Sequence, residues 1–91
     1  MQTFMIVAKF KVDITMEQIQ ALIPAEQARA KELEASGAIT SIKISMPKRT
    51  VFIEATGVDE KSVMECIYSL PMAAIWDIDA FPTTPPAGPS T

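Results

Sequence analysis

Residues 38–56, AITSIKISMPKRTVFIEAT, decide the fold, because their pattern predicts a β-hairpin between two helical segments. The first strand is expected over residues 39–46 and the second over residues 50–55, and Pro47, Lys48 and Arg49 form the turn between them. Side chains alternate along the first strand. One face carries Thr40, Ile42, Ile44 and Met46, and the other carries Ser41, Lys43 and Ser45.

Residues 3–12 precede the hairpin and also alternate, which predicts another strand. One face carries Phe4, Ile6, Ala8, Phe10 and Val12, and the other carries Met5, Val7, Lys9 and Lys11. Because the strand is apolar on both faces at its start, both faces need to be covered there.

A first helix is predicted over residues 16–36, between this strand and the hairpin. Thr15 offers an N-cap with Gln18 as its capping-box partner, and Gly37 suits the left-handed position after the last turn. Pro24 interrupts the helix, because it lacks a backbone donor and crowds the preceding turn. We therefore expect either a kink or two shorter helices, the second with Pro24 in its first turn.

A second helix follows the hairpin. Asp59 is its predicted N-cap, the helix reaches Leu70, and Pro71 stops it. Its apolar stripe comprises Val63, Met64, Ile67 and Leu70.

The last predicted strand covers residues 73–81. One side carries Ala74, Trp76, Ile78 and Ala80, and the other carries Ile75, Asp77, Asp79 and Phe81. Residues 82–91, PTTPPAGPST, are too rich in proline to pair or coil, so we expect a tail that is extended, disordered or ordered only against a partner.

The order strand, helix, strand, strand, helix, strand predicts one ferredoxin-like α+β domain over residues 1–81. Such a βαββαβ domain has a four-stranded antiparallel sheet with both helices on one face. The uncovered face would carry some of Met5, Val7, Trp76 and Ile78, or their alternates. The sheet of a second copy is the obvious cover.

Composition excludes several functions. The net charge is −3 and the eight Lys and Arg residues are scattered, so a nucleic-acid partner is not expected. Cys66 is the only cysteine and there is no histidine, which argues against a disulfide, a metal site or imidazole catalysis. No apolar run spans a bilayer and no signal peptide is recognised, so we expect a cytoplasmic protein.

One acid lies where a hydrocarbon would be expected on the first helix. Ile19, Ile23, Ala30 and Leu33 fall on one side of the helical wheel, and Glu26 lies among them. A carboxyl group that faces an apolar cavity has a raised pKa and suits proton transfer. Alternatively, if the helix restarts at Pro24, Glu26 lies in a first turn and interacts with free amides and the helix dipole.

Three segments resemble the muconolactone delta-isomerase family of dimeric α+β barrels: AEQARAKEL at 25–33, SGAI at 36–39 and LPMAAIWDID at 70–79. The most specific spacings join Glu26 to Glu32 and Leu33, and join Leu70 and Pro71 to Asp77 and Ile78. The resemblance implies a proton shift on a small unsaturated lactone that carries a carboxylate, without metal or cofactor. It also implies a homodimer or a larger ring of dimers, with the ligand cavity between helices and sheet.

If Glu26 is the catalytic base, a carboxylated ligand also needs a cation. Arg29, one helical turn beyond Glu26, and Arg49 are the better candidates because guanidinium binds two carboxylate oxygens, and Lys43 is another. Trp76 is either core packing or a ligand contact. Asp77 matches the family pattern but could also bond a neighbouring backbone.

Two alternatives to an isomerase stay open. The segment SIKISMPKRT lacks the aromatic side chains and the imidazole that family members carry in the hairpin. This difference favours a non-catalytic small-ligand-binding or assembly module on the same scaffold. A cofactor-free monooxygenase is a third hypothesis, which rests on fold analogy alone.

Overall fold

The computed structural model describes residues 1–85. It contains four strands, two α-helices and one 3₁₀ helix. In chain order they are β1 (Gln2–Phe10), α1 (Met16–Ala35), β2 (Ile39–Ser45), β3 (Thr50–Gly57), α2 (Glu60–Tyr68), the 3₁₀ helix (Pro71–Ile75) and β4 (Trp76–Thr83).

The four strands form one antiparallel sheet in the order β2-β3-β1-β4. Ile6 in the centre of β1 lies opposite Ile53 of β3 and Ala80 of β4. The predicted ferredoxin-like α+β class, with its βαββαβ order, is therefore confirmed.

The core lies between the two helices and one face of the sheet. The predicted inward face of β1 is confirmed, because Phe4, Ile6, Ala8 and Phe10 are all buried. Val12, which was predicted to continue this face, is fully exposed because the strand ends at Phe10. Helix α1 contributes Ile19, Ala30 and Leu33 to the core, and α2 contributes Val63 and Ile67.

The caps of α1 are those that the sequence predicts. The backbone N–H of Gln18 donates to Thr15 Oγ1 over 3.2 Å, and the N–H of Thr15 donates to Gln18 Oε1 over 2.8 Å. Gly37 has φ +85° after the last turn. The helix continues through Pro24, so the alternative of two separate helices is wrong. Glu26 consequently lies in a helix interior and not in a first turn.

The hairpin contains a β-bulge that strict alternation does not predict. The register steps from Ile39 opposite Ala55 to Ser41 opposite Glu54, which leaves Thr40 as the extra residue. Thr40 Oγ1 donates to Glu54 Oε1 over 2.6 Å, while Ile39 is buried in the core. Thr40 was therefore wrongly grouped with Ile42.

The segment after α2 also differs from the prediction. The helix ends at Tyr68 and does not reach Leu70. Pro71 begins the 3₁₀ helix, because its fixed φ suits a first helical position. Strand β4 consequently starts at Trp76 and not at residue 73. It extends to Thr83, so the first two tail residues do pair, Pro82 opposite Phe4 and Thr83 opposite Thr3. The tail prediction for residues 86–91 lies outside the described residues.

The sheet face that no helix covers, here called the open face, has an apolar centre with charged neighbours. Its centre comprises Met5, Val7, Phe52 and Phe81, and its charged residues comprise Lys9, Lys43, Glu54, Asp77 and Asp79. The suggestion that Trp76 and Ile78 lie on this face is wrong. Both lie opposite inward residues of β1, Trp76 opposite Phe10 and Ile78 opposite Ala8. In the part of the chain that the structure covers, no helix is both long and apolar enough to cross a membrane.

Candidate functional site

A cavity of about 290 Å³ lies between α1 and the sheet. Ile19, Ile23 and Ala30 line it from α1, and Phe10, Ile42 and Val51 are among the residues that line it from the sheet. Exposed apolar side chains surround its opening, namely Met16, Ile23, Ile44 and Met46. The walls are almost wholly apolar, so the few polar groups in the lining decide its chemistry.

Glu26 places a carboxyl group in this lining. It is half-buried, and its Oε1 accepts a hydrogen bond from the backbone N–H of Met72 over 2.9 Å. Burial raises the pKa of Glu26 above its usual value, and the hydrogen bond from Met72 opposes the rise only in part. The carboxyl group is therefore easier to protonate than an exposed one, which is a property of acid–base groups.

Trp76 contributes the second polar group, its indole N–H. The side chain is buried, lines the cavity and packs edge-on against Phe10, with ring centroids 6.2 Å apart. Within residues 1–85 the buried Nε1 has no hydrogen-bond acceptor. Core packing, one of the two roles that the sequence left open for Trp76, is confirmed, and its contact with a ligand stays a prediction.

Arg29, one helical turn beyond Glu26, is bonded to residues outside the cavity lining. Its Nε donates to Ser69 Oγ over 3.0 Å, and its Nη1 lies 3.3 Å from Glu32 Oε1. Ser69 Oγ in turn donates to the carbonyl of Cys66 over 2.6 Å. This arrangement attaches α1 to the C-terminal end of α2, and the Arg29 side chain is not part of the cavity wall.

Arg49 connects the hairpin turn to the loop before α1. Its Nη2 donates to the carbonyl of Ile14 over 2.9 Å, and its guanidinium carbon lies 6.0 Å from the centre of the Phe10 ring. Its backbone is left-handed, with φ +48°. Arg49 therefore touches a cavity residue from outside and does not itself line the cavity.

Lys43 and Asp77 lie on the open face, on the other side of the sheet from the cavity. Lys43 is opposite Phe52, and Asp77 is opposite Lys9. Of the predicted site residues, the structure brings together only Glu26 and Trp76 in the cavity lining. Their roles toward a ligand stay predictions.

Gln27 and Met72 are two of the lining residues that were not anticipated from the sequence. Gln27 follows Glu26 and also lines the cavity, and Met72 lines it beside the N–H that binds Glu26. The pair Leu70 and Pro71 was a usable signal for Met72, since a proline at the first position of a helical turn leaves the next N–H without an intrahelical partner.

The described part of the chain has no group of three or more Cys, His, Asp or Glu residues that could hold a metal ion. A second depression, of about 380 Å³, lies on the open face between Met5, Glu54 and Thr83. No protein-family model matches the chain, and no curated protein matches it.

Proposed function

We propose that this protein is a cofactor-independent proton-transfer enzyme similar to muconolactone isomerase. It acts on a small carbonyl compound, a lactone or an oxo-acid, in the cavity between α1 and the sheet. The observation that supports the proposal is the half-buried Glu26 carboxyl group, with its raised pKa, in a lining whose other polar side chains are only Gln27 and Trp76.

The proposed reaction is a proton shift within one ligand. The Glu26 carboxylate removes the proton from the γ-carbon of an α,β-unsaturated lactone, and the C–H electron pair moves into a dienolate. The protonated Glu26 then returns the proton to the carbon next to the carbonyl, so the double bond moves to the β,γ position and the enzyme ends unchanged. Because Met72 holds Oε1, Oε2 is the oxygen assigned to the proton.

The size of the cavity limits the ligand. An engineered cavity of about 150 Å³ in another protein binds benzene. The 290 Å³ found here therefore has room for one ring with short substituents. This size agrees with a substituted five-membered lactone.

A non-catalytic ligand-binding module is the second candidate. The observation that favours it is the scarcity of polar groups in the lining, because an enolate needs hydrogen-bond donors or a cation for stabilisation. Such a protein would bind the same small apolar ligands without moving a proton.

We also propose that two copies pair through their open faces. Phe52 is 38% exposed and Phe81 is 51% exposed, and both lie in the middle of a face flanked by charges of both signs. Burial of this apolar centre against a second sheet supplies the missing layer.

Proton transfer can be tested with a panel of three α,β-unsaturated γ-lactones: muconolactone, its methyl ester and a lactone with only a methyl substituent. NMR in D₂O measures deuterium uptake next to the carbonyl, and ultraviolet absorbance measures the shift of the double bond. We expect turnover of at least one lactone, and a loss of about 10²–10⁴-fold in Glu26→Gln.

Glu34→Gln is the matched control, because it makes the same change at an exposed position of α1. It should retain the wild-type rate. Absence of exchange with all three lactones, or full activity of Glu26→Gln, would refute the enzymatic proposal. Saturable binding without exchange would support the binding module.

A further inference from the structure

We infer that the cavity selects uncharged carbonyl compounds, and that Glu26 is the residue that excludes ligands with a free carboxylate. The inference rests on the proposed function only for the carbonyl class of the ligand. It narrows the proposed ligands to neutral carbonyl compounds such as uncharged lactones, so that oxo-acids are left out, and it departs from the family resemblance, which implies a lactone that carries a carboxylate.

All eight Lys and Arg residues of the chain lie within residues 1–85, and none of them lines the cavity. Both arginines of the chain are bonded to other groups, Arg29 to Ser69 and Glu32 and Arg49 to the carbonyl of Ile14. Lys43 is on the opposite face of the sheet. A ligand carboxylate would therefore lose its hydration in the cavity without gaining a cationic partner from this chain.

The charge that is present has the wrong sign for a carboxylate. Glu26 is the single ionisable side chain among the residues described as lining the cavity. Two carboxylates in one apolar space repel each other strongly, because the low local dielectric screens them little. The cavity could hold both only after one of them had taken up a proton.

A neutral carbonyl compound meets none of these costs. Its ring and alkyl atoms replace water against the apolar side chains of Ile19, Ile23 and Ile42. Protonated Glu26 can donate a hydrogen bond to a neutral ligand oxygen, and ionised Glu26 can abstract an adjacent proton. The same side chain thus acts on neutral ligands and repels anionic ones.

Trp76 is the only tryptophan and lines the cavity, so its fluorescence reports binding without a label. Wild-type protein is titrated at about pH 7 with muconolactone, whose carboxyl group is ionised there, and with its methyl ester. We expect the ester to bind at least about tenfold more tightly than the acid, because the carboxylate of the acid is repelled by the Glu26 carboxylate in the same cavity.

Two variants and one control connect this preference to the carboxylate in the lining. Glu26→Gln removes the charge and should reduce the ratio of ester affinity to acid affinity, whereas Glu34→Gln should leave the ratio unchanged. Gln27→Glu adds a carboxylate to the same lining and should increase the ratio, so the inference can be tested even if Glu26→Gln does not fold.

Equal or tighter binding of the acid would overturn the inference, for example because a second copy supplies a cation. If the acid is then also isomerised, the proposed proton transfer still stands. If the ester binds selectively but exchanges no proton, the inference stands and the enzymatic proposal fails. If neither compound changes the fluorescence, the cavity is not a lactone site and both proposals fail.

Discussion

Glu26 Oε1 accepts a 2.9 Å hydrogen bond from the backbone N–H of Met72, which lies 46 residues further along the chain. The bond joins the middle of α1 to the first turn of the 3₁₀ helix, where Met72 has no intrahelical acceptor. A carboxyl oxygen at this position acts as a cap supplied by another helix. The same contact holds the carboxyl group at the edge of the cavity, so its structural and chemical roles are not exclusive.

The first prediction concerns the pH dependence of stability in Glu26→Gln. Because burial raises the pKa of Glu26, the folded protein holds this proton more tightly than the unfolded chain does. The resulting stabilisation is complete below the ordinary pKa of 4.5 and is lost as the pH rises through the folded value. Glutamine keeps an oxygen for Met72 and does not ionise.

The free energy of unfolding of Glu26→Gln, relative to wild type, should therefore increase between about pH 4 and about pH 7. Urea unfolding at a series of pH values measures this difference. Glu34→Gln, which is exposed on the same helix, should give a curve parallel to wild type. A difference for Glu26→Gln that does not change with pH would show that the carboxyl group is hydrated in the folded state.

The second prediction concerns the volume of the cavity. Ala30 lines it from α1, so Ala30→Leu should fill part of the space and weaken lactone binding by about tenfold or more, at about 1 kcal/mol per occluded methylene group. Ala28→Leu makes the same change at an exposed position of the helix and should bind as wild type does. Trp76 fluorescence titrations compare the two variants. Equal affinity in both would place the ligand elsewhere.

The helix caps and the inward face of the first strand were predictable from the sequence because they depend on local chemistry. Thr15 and Gln18 cap α1 through contacts within one turn, and Gly37 meets a local demand for positive φ. The bulge at Thr40 and the start of β4 depend instead on contacts between distant segments. Residues 73–75 alternate like a strand in the sequence, but in the structure they belong to the 3₁₀ helix. The first turn of that helix is bonded to Glu26 through Met72, a contact between segments that are distant in the sequence.

The candidate site was predictable to a similar extent. The helical wheel identified Glu26 because α1 continues through Pro24, and helical periodicity then decides which residues share a face. Lys43 and Asp77 could not be assigned in this way. Their side of the sheet follows from strand register, and a shift of one residue reverses the face.

The third prediction concerns the indole N–H of Trp76, which is buried without an acceptor among residues 1–85. Such a donor costs about 1–3 kcal/mol, and phenylalanine removes it while keeping an aromatic ring against Phe10. Trp76→Phe should therefore change the free energy of unfolding by less than about 1.5 kcal/mol, whereas Trp76→Ala should lower it by about 3–5 kcal/mol. Denaturant unfolding followed by circular dichroism measures both. A large loss in Trp76→Phe would indicate that the N–H has a partner, such as a bound water.

The fourth prediction concerns the fit between two glycines and their surroundings. A Cβ at Gly57 would lie 2.9 Å from Val63 Cγ2, a buried side chain that cannot move freely, so Gly57→Ala should destabilise the protein by about 1–3 kcal/mol.

Gly37 has open space around it, but its φ of +85° strains an L-residue. Gly37→Ala should cost about 1 kcal/mol, and Gly37→Asn less, because asparagine tolerates the left-handed region. Thermal unfolding of the three variants gives the order, and equal losses for Gly37→Ala and Gly37→Asn would show that backbone strain is not the cause.

The final prediction concerns the open face. Phe52 lies opposite Val7 and Lys43 in the register, so Phe52→Glu places a charge in the apolar centre of the face. If two copies pair through this face, an interface of about 600–800 Å² per copy would take that carboxylate and the neighbouring Lys43 out of water, and this desolvation cost should dissociate the dimer. Val58→Glu is the control, because Val58 is 70% exposed in the loop after β3. Sedimentation equilibrium should give a dimer for wild type and Val58→Glu and a monomer for Phe52→Glu. A dimer that survives Phe52→Glu would place the interface on another surface, because the loss of the apolar ring and the desolvation of the new carboxylate both oppose pairing through this face.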